Sequence, residues 1–264
     1  MATNTHSIDL ERGSSQYANI TDTASLSITG NLSFGCWAKF ESVPGSGERY
    51  MFMSKDGDSG TNRSYYLAQF NEAGTQKLEF MVSALGILAT TARVSWTPST
   101  ATWYYIFVTY TAAGGTADFY VDGAQQGTQQ SGLDTSIADT NAPFSIGAFR
   151  ADVAADNFFD GKINDAIIYN AAIAGATVAS NFATPCSTST TSAVSRWFLT
   201  ETANDQIGSN NLTLVGSPAY AADAAYSCSV GPSTIASLNG VTAATIASRN
   251  GVTWSTIDSI NSAT

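Results

Sequence analysis

An all-β fold, an antiparallel sandwich of two sheets, is what this 264-residue chain predicts, on three observations. Apolar and polar residues alternate with a period of two up to about residue 170, the repeat of a strand with one buried face. The alternating runs are rich in Tyr, Phe, Ile and Val, which suit a pleated, half-buried surface. Glycine-containing turn pairs break them at short intervals, and one stretch alone reads as a helix.

The clearest strand is Leu32-Ser33-Phe34-Gly35-Cys36-Trp37-Ala38-Lys39-Phe40, whose even positions are apolar. One face then carries Leu32, Phe34, Cys36, Ala38 and Phe40, and Cys36 reads as a small buried hydrophobe. Further strand-like runs are Arg49 to Lys55, Ser64 to Phe70, Lys77 to Ser83, Trp103 to Tyr110, Ala117 to Val121, Phe144 to Ala148 and Lys162 to Tyr169. Asp56-Gly57, Ala73-Gly74, Gly114-Gly115, Asp122-Gly123 and Asp160-Gly161 supply the turns. Ala171 to Phe182 is the one helical stretch, about three turns interrupted by Gly175.

Charged residues make up 12% of the chain, about half of the usual ~25%. The balance is acidic, 11 Lys plus Arg against 21 Asp plus Glu, for a net charge of −10. Clustered Lys and Arg give phosphate binders their affinity, so nucleic acid is excluded as a partner. A span of the ~18 apolar residues that cross a bilayer is missing too. The N-terminus lacks the basic start and apolar core of a signal peptide, so either a signal is missing from the chain or the chain is used without secretion. Of three cysteines, Cys186 and Cys228 lie in Ser/Thr/Ala-rich segments where loops could meet. One disulfide between them, worth about 4 kcal/mol in the chain-entropy model, is one reading and three reduced thiols the other.

Several motifs in order resemble a known family. They are Trp103-Tyr104-Tyr105-Ile106-Phe107-Val108-Thr109-Tyr110, Asp118-Phe119-Tyr120-Val121-Asp122-Gly123, Phe144-Ser145-Ile146-Gly147, and Phe159-Asp160-Gly161-Lys162-Ile163-Asn164-Asp165-Ala166-Ile167-Ile168-Tyr169-Asn170. Together with Ser7-Ile8-Asp9-Leu10 and Tyr17-Ala18-Asn19-Ile20 they are similar to the laminin-G-like, concanavalin A-like lectin/glucanase jelly roll, over residues 7–183. The resemblance implies a jelly-roll topology for the two-sheet sandwich. Val194-Ser195-Arg196-Trp197-Phe198-Leu199 and the run 205–218 resemble a segment that usually precedes the family's first strand. About 40 residues cannot bury a core of their own, so 194–216 is expected to return and complete a sandwich over residues 1–230.

Residues 231–264 are expected to form a separate tail. Thr234-Ile235-Ala236-Ser237-Leu238-Asn239-Gly240-Val241 is followed at a period of eleven by Thr245-Ile246-Ala247-Ser248-Arg249-Asn250-Gly251-Val252, then by Thr256-Ile257-Asp258-Ser259-Ile260-Asn261. Each Asn-Gly favours a tight turn over a continuous helix. Ile235, Leu238, Val241, Ile246, Val252, Trp254, Ile257 and Ile260 make this segment a candidate docking or assembly tail, with a plain linker as the alternative.

Catalysis finds little material. A retaining glycosidase needs two carboxylates ~5 to 5.5 Å apart, and the one glutamate with a strand-spaced acidic neighbour is Glu11, beside Asp9, which reads as edge charge. Ser-His-Asp or Cys-His chemistry would have to use His6, the only histidine, and zinc lacks ligands. The chain is therefore read as a non-enzyme. For calcium, an implication of the resemblance, the candidates are Asp56 and Asp58 in a Gly-rich loop and Asp156 and Asp160 before a strand; the alternative is turn formation. For sugar binding, also implied by the resemblance, loop-flanking aromatics are the candidates: Trp96, Phe149 and Phe158.

These readings give a non-catalytic structural protein of a virion surface, a phage decoration or fibre component. It would present or bind host-surface glycans and attach to itself or to other virion proteins through its tail. The alternatives are a secreted, extracellular glycan-binding adhesion module and, lacking an evident carboxylate pair, a jelly-roll glycoside hydrolase.

Overall fold

A strand with one apolar face is stable only when that face meets another sheet. The computed structural model describes residues 4–57, 61–149 and 156–228, with the backbone of 237–238 and 241–242. Its strands are β1 (Ser7–Leu10), β2 (Tyr17–Ile20), β3 (Leu32–Phe40), β4 (Arg49–Asp56), β5 (Arg63–Glu72), β6 (Thr75–Val82), β7 (Thr90–Ser95) and β8 (Trp103–Thr111). They continue with β9 (Thr116–Val121), β10 (Ala124–Gln130), β11 (Phe144–Ile146), β12 (Gly161–Tyr169), β13 (Ala193–Trp197), β14 (Thr213–Val215) and β15 (Ala219–Ala221).

Two antiparallel sheets result. One runs β10-β9-β8-β3-β12-β1-β15, and the other β14-β2-β11-β4-β5-β6-β7. The whole is a concanavalin A-like jelly roll. Along one side of β12 the first half pairs with β1 and the second half with β13, while β3 takes the other side. Between the sheets the even residues of β3 meet the inner face of the partner sheet. The Phe34 ring lies 5.5 Å from Tyr65 and 6.1 Å from Phe80, and Phe40 lies 5.8 Å from Phe52 and 5.2 Å from Phe159. Cys36 is buried among them and is a free cysteine. Cys186 and Cys228 are both disulfide-bonded.

Residues after the helix belong to the same core. The indole of Trp197 is wholly buried, stacks on Phe144 at 5.2 Å and donates its N–H to the Asn210 carbonyl at 2.7 Å. Further along, β14 pairs with β2 and β15 with β1. One buried cation sits here as well: the Lys55 ammonium donates to Asp22 at 2.6 Å and to the carbonyls of Thr140 and Ala142 at 2.8 Å, tying two loops to β4.

The sequence reading needs three corrections. The helix α1 covers Gly175–Ala183, and Gly175 opens it instead of interrupting it. Ala174 is extended, and a Cβ at Gly175 would come within 2.8 Å of the Tyr120 hydroxyl, so only glycine starts the helix that close to β9. Strands β7 and β10 lie outside the expected runs; β10, Ala-Gln-Gln-Gly-Thr-Gln-Gln, has no apolar face because it is a solvent-facing edge. Asp9 is not an edge charge, since β1 lies between β12 and β15 and Asp9 is partly buried, whereas Glu11, just past β1, is exposed.

The sandwich is a unit of Thr5–Tyr226, and Met1–Asn4 with Ser227–Thr264 form a second. In the second unit, β16 (Ser237–Leu238) pairs with β17 (Val241–Thr242), opposing Leu238 to Val241. The other apolar tail positions, Ile235, Ile246, Val252, Trp254, Ile257 and Ile260, lie outside the described residues.

Trp197→Ala should lower the unfolding free energy by about 3–5 kcal/mol in chemical denaturation. A loss below about 1 kcal/mol would mean that residues after α1 are not part of the sandwich core.

Candidate functional site

Each sheet has an outer face as well as an inner one, and the two outer faces differ. On the eight-stranded sheet Trp37, Tyr105, Phe107, Tyr120, Ile167 and Tyr169 are buried beneath Val178 and Phe182 of α1 and beneath Tyr226. That face is closed. On the seven-stranded sheet cross-strand pairing lines up Arg49 with Phe70, Met51 with Ala68, Tyr66 with Met81, and Ala68 with Glu79, which in turn faces Arg93. These side chains share one face because directly opposed residues of an antiparallel ladder point the same way.

Glu79 is wholly buried there. Its carboxylate accepts from Arg49 Nε at 2.5 Å, Arg93 Nε at 2.5 Å and the Tyr66 hydroxyl at 2.7 Å. Burial alone would raise its pKa, but hydrogen bonds from Arg49, Tyr66 and Arg93 outweigh that and hold it below its ordinary value. The same burial, with Glu79 beside it, pushes the Tyr66 hydroxyl up, so it stays a donor. The Arg49 and Arg93 guanidiniums both lie over the Phe70 ring, 4.0 and 4.9 Å from its centroid. Arg93 also reaches Glu72 at 2.9 Å, and Lys77 pairs with Glu72.

Beside this array a cleft of about 220 Å³ opens, lined by Arg49, Met51, Arg63, Tyr66, Phe149 and Asn157. Two of its lining residues, Phe149 and Asn157, come from the connection between β11 and β12. Gly147 turns the chain out of β11 at φ +84°, a conformation that favours glycine, and its N–H bonds the Phe52 carbonyl at 3.1 Å. Phe149 and Asp156 then form an antiparallel bridge, and the Asn157 carbonyl accepts from Met51 N–H at 3.1 Å. The extra residue at Phe52, where the β4–β5 register shifts, lets β4 make both of those bonds. Phe149 thereby stands edge-on to Tyr66, centroids 5.7 Å apart at 85°. Arg49 opens β4 and Arg63 opens β5; in an antiparallel pair those are opposite ends, so the cleft has a guanidinium at each end.

Comparison with known proteins places this fold. The pattern of the concanavalin A-like lectin/glucanases superfamily matches residues 12–179. The chain belongs to that superfamily. Among solved structures it is similar to a proposed carbohydrate-binding protein from Bacteroides ovatus, with TM-score 0.62 at 14% identity over 86% of this chain and 62% of that one. It is also similar to the heptameric SAP-like pentraxin of Limulus polyphemus, with TM-score 0.58 at 12% identity over 83% and 95% of the two chains. A search of curated protein sequences gave no match.

Against this lectin/glucanase frame the residues singled out by sequence separate. Phe149 is in the cleft. Phe158 is not; its ring lies 6.0 Å from Tyr17. Trp96 follows β7 and packs on the core, 5.0 Å from Tyr104 and 6.2 Å from Phe40, because its strand ends over the sandwich interior. Arg49, Arg63, Tyr66 and Asn157 were not legible as a group, since strand register and the docking of the β11–β12 connection on β4 bring them together.

The calcium candidates do not converge among the described residues. Asp160 accepts from Ser42 Oγ at 2.5 Å and Arg12 N–H at 3.2 Å, which ties three separate segments of the chain together. Asp156 accepts from Asn157, Asp56 is buried at the end of β4, and Asp58 lies outside the described residues. Carboxylates that do come within 4.8 Å of one another are Asp9, Glu11 and Glu41. Burial and the neighbouring Glu41 raise Asp9, and burial with Glu41 and Asp9 raises Glu11. A cation is already among them: the Lys162 ammonium, 2.7 Å from Glu41 and 3.5 Å from Asp9. None of the three lines the cleft. His6 meets Thr5 at 2.9 Å and Glu201 at 3.6 Å through the same Nδ1, so its ring cannot relay a proton between them.

The Glu79 array sets an acid limit on stability. A folded pKa below its ordinary value of 4.5 contributes stability that is complete above that pH and is lost as pH falls through the folded value. Denaturation midpoints should therefore decline below about pH 4.5. Glu79→Gln should cost about 2–3 kcal/mol at neutral pH and flatten that decline, with an unchanged acid profile as the contrary result.

Proposed function

We propose that the protein is a non-catalytic glycan-binding module and that the outer-face cleft of the seven-stranded sheet holds the sugar. The observation that carries this reading is the Phe149–Tyr66 aromatic corner set beside the Asn157 amide and two guanidiniums. A pyranose offers an apolar C–H face and a rim of hydroxyls, and such a corner answers both, stacking against the face and hydrogen-bonding the rim. Membership of a superfamily that contains lectins supports it, as does the likeness to the proposed carbohydrate-binding protein from Bacteroides ovatus. The glucanase side of the family is disfavoured because, among the described residues, the one group of three converging carboxylates is exposed at Glu11 and Glu41 and holds Lys162.

An oxidising, extracellular setting is supported by the disulfide-bonded state of Cys186 and Cys228. Within it we place the module on the surface of a virus particle, attached through the C-terminal segment. What supports that placement is the low-charge acidic composition and the eleven-residue repeat.

The full chain on a glycan array should show selective binding, with no reducing ends released from the bound sugars. Phe149→Ala should then weaken that affinity about tenfold in titration calorimetry at an unchanged melting temperature. An array with no response overturns the glycan reading. Mass spectrometry of purified particles should find the chain; recovery only as free monomer in culture supernatant overturns the virion placement.

A further inference from the structure

The three arginines of the outer face differ in how their charge is met. Of seven arginines in a chain of net charge −10, Arg49, Arg63 and Arg93 are gathered on this one sheet. Arg49 spends Nε and one Nη on Glu79, and Arg93 is shared between Glu79 and Glu72. Lys77 is held by Glu72. Arg63 lines the cleft with its side chain partly exposed, and among the described residues no carboxylate lies within ion-pair distance of it. Its cross-strand neighbour Asp56 is buried at the end of β4, and the nearby Asp156 carboxylate accepts from Asn157. Among the described residues the acidic groups at this surface are Glu72, Glu79, Asp56 and Asp156; Glu72 and Glu79 pair with Lys77, Arg93 and Arg49, and Asp56 and Asp156 have partners of their own.

We propose, resting on the glycan reading above, that the sugar selected by this cleft is anionic, a uronate or a sulfated residue whose oxyanion is anchored by Arg63. A guanidinium presents two parallel N–H donors in a fixed fork, which match carboxylate and sulfate oxygens bidentately. Arg49 at the other end, fixed in place by Glu79, adds positive potential and its three remaining N–H donors. A neutral sugar filling about 220 Å³ between them would cover Arg63 without neutralising it, and a covered, unpaired charge opposes binding. An anionic ring removes that cost. Phe149 supplies the apolar contact for either kind of sugar, so charge decides between them.

The test titrates the full chain with three oligosaccharides of equal length: an oligogalacturonate, its carboxyl-reduced galactose counterpart and a sulfated galactan fragment. One or both anionic ligands should bind at least about tenfold more tightly than the neutral one, and the preference should shrink at high salt. Which of the two leads identifies the oxyanion. Arg63→Gln should bring the anionic-to-neutral ratio close to one, and Arg63→Lys should restore part of it, because it returns the charge without the fork. Phe149→Ala should weaken all three ligands while leaving the ratio in place. Equal binding of neutral and anionic ligands, or an undiminished ratio in Arg63→Gln, overturns this inference. Neutral sugars alone binding on the array overturns it while the glycan reading stands; a blank array overturns both.

Discussion

One buried carboxylate, that of Glu79, organises the polar outer face of the seven-stranded sheet. An unpaired charge there would cost several kcal/mol, so the position is tolerable only because two guanidiniums and a phenol converge on it. In return the carboxylate removes freedom from long side chains that would otherwise sample many rotamers. Arg49 and Arg93 lie over the Phe70 ring, and the Tyr66 ring is fixed by its own hydroxyl. The floor of the cleft is therefore set before any ligand arrives, and a preset floor costs a ligand less ordering entropy than one it must assemble.

The contrast between the two outer faces follows from the same accounting of buried surface. Trp37, Tyr105, Phe107 and Tyr169 would form a large exposed apolar patch if the eight-stranded sheet ended at solvent, and α1 with Tyr226 covers them. On the other sheet the corresponding layer is Arg49, Glu79, Arg93 and Lys77 around a few apolar residues, so no helix is needed to cover it. Phe149 and Asn157, from the connection between β11 and β12, join Met51 and Tyr66 in lining a cleft on this face.

Most of the fold was legible in the sequence because inner-face positions alternate visibly. Leu32 to Phe40 reads as a strand from its even residues alone, and those residues do face the core. The missing strands lack that signal: β10 buries nothing, and β7 carries only Ala92 and Val94 inward. The site was less legible, for a geometric reason. Arg49, Tyr66, Glu79 and Arg93 are separated in sequence by 17, 13 and 14 positions, as their numbers show, and become neighbours only through the register of four strands. An informative signal was present, the recurrence of Arg and Glu on the outward positions of otherwise apolar runs. Phe149 could be singled out because it stands in a loop, whereas Trp96, equally loop-flanking, packs against Tyr104 because its backbone N–H is still bonded to Gln76.

The placement of the unit's ends bears on how such a cleft can be displayed. The sandwich unit begins at β1 and closes at β15, and these strands pair, Ser7 opposite Ala221. Asp223 reinforces the closure by accepting from Lys39 at 3.0 Å and from the Trp103 indole at 3.1 Å. Both ends therefore belong to the eight-stranded sheet, whereas the cleft opens on the outer face of the seven-stranded one. In a two-layer sandwich those surfaces are separated by the thickness of the core, about 10 Å between sheets. The first and last strands of the unit therefore lie on the layer that does not carry the cleft.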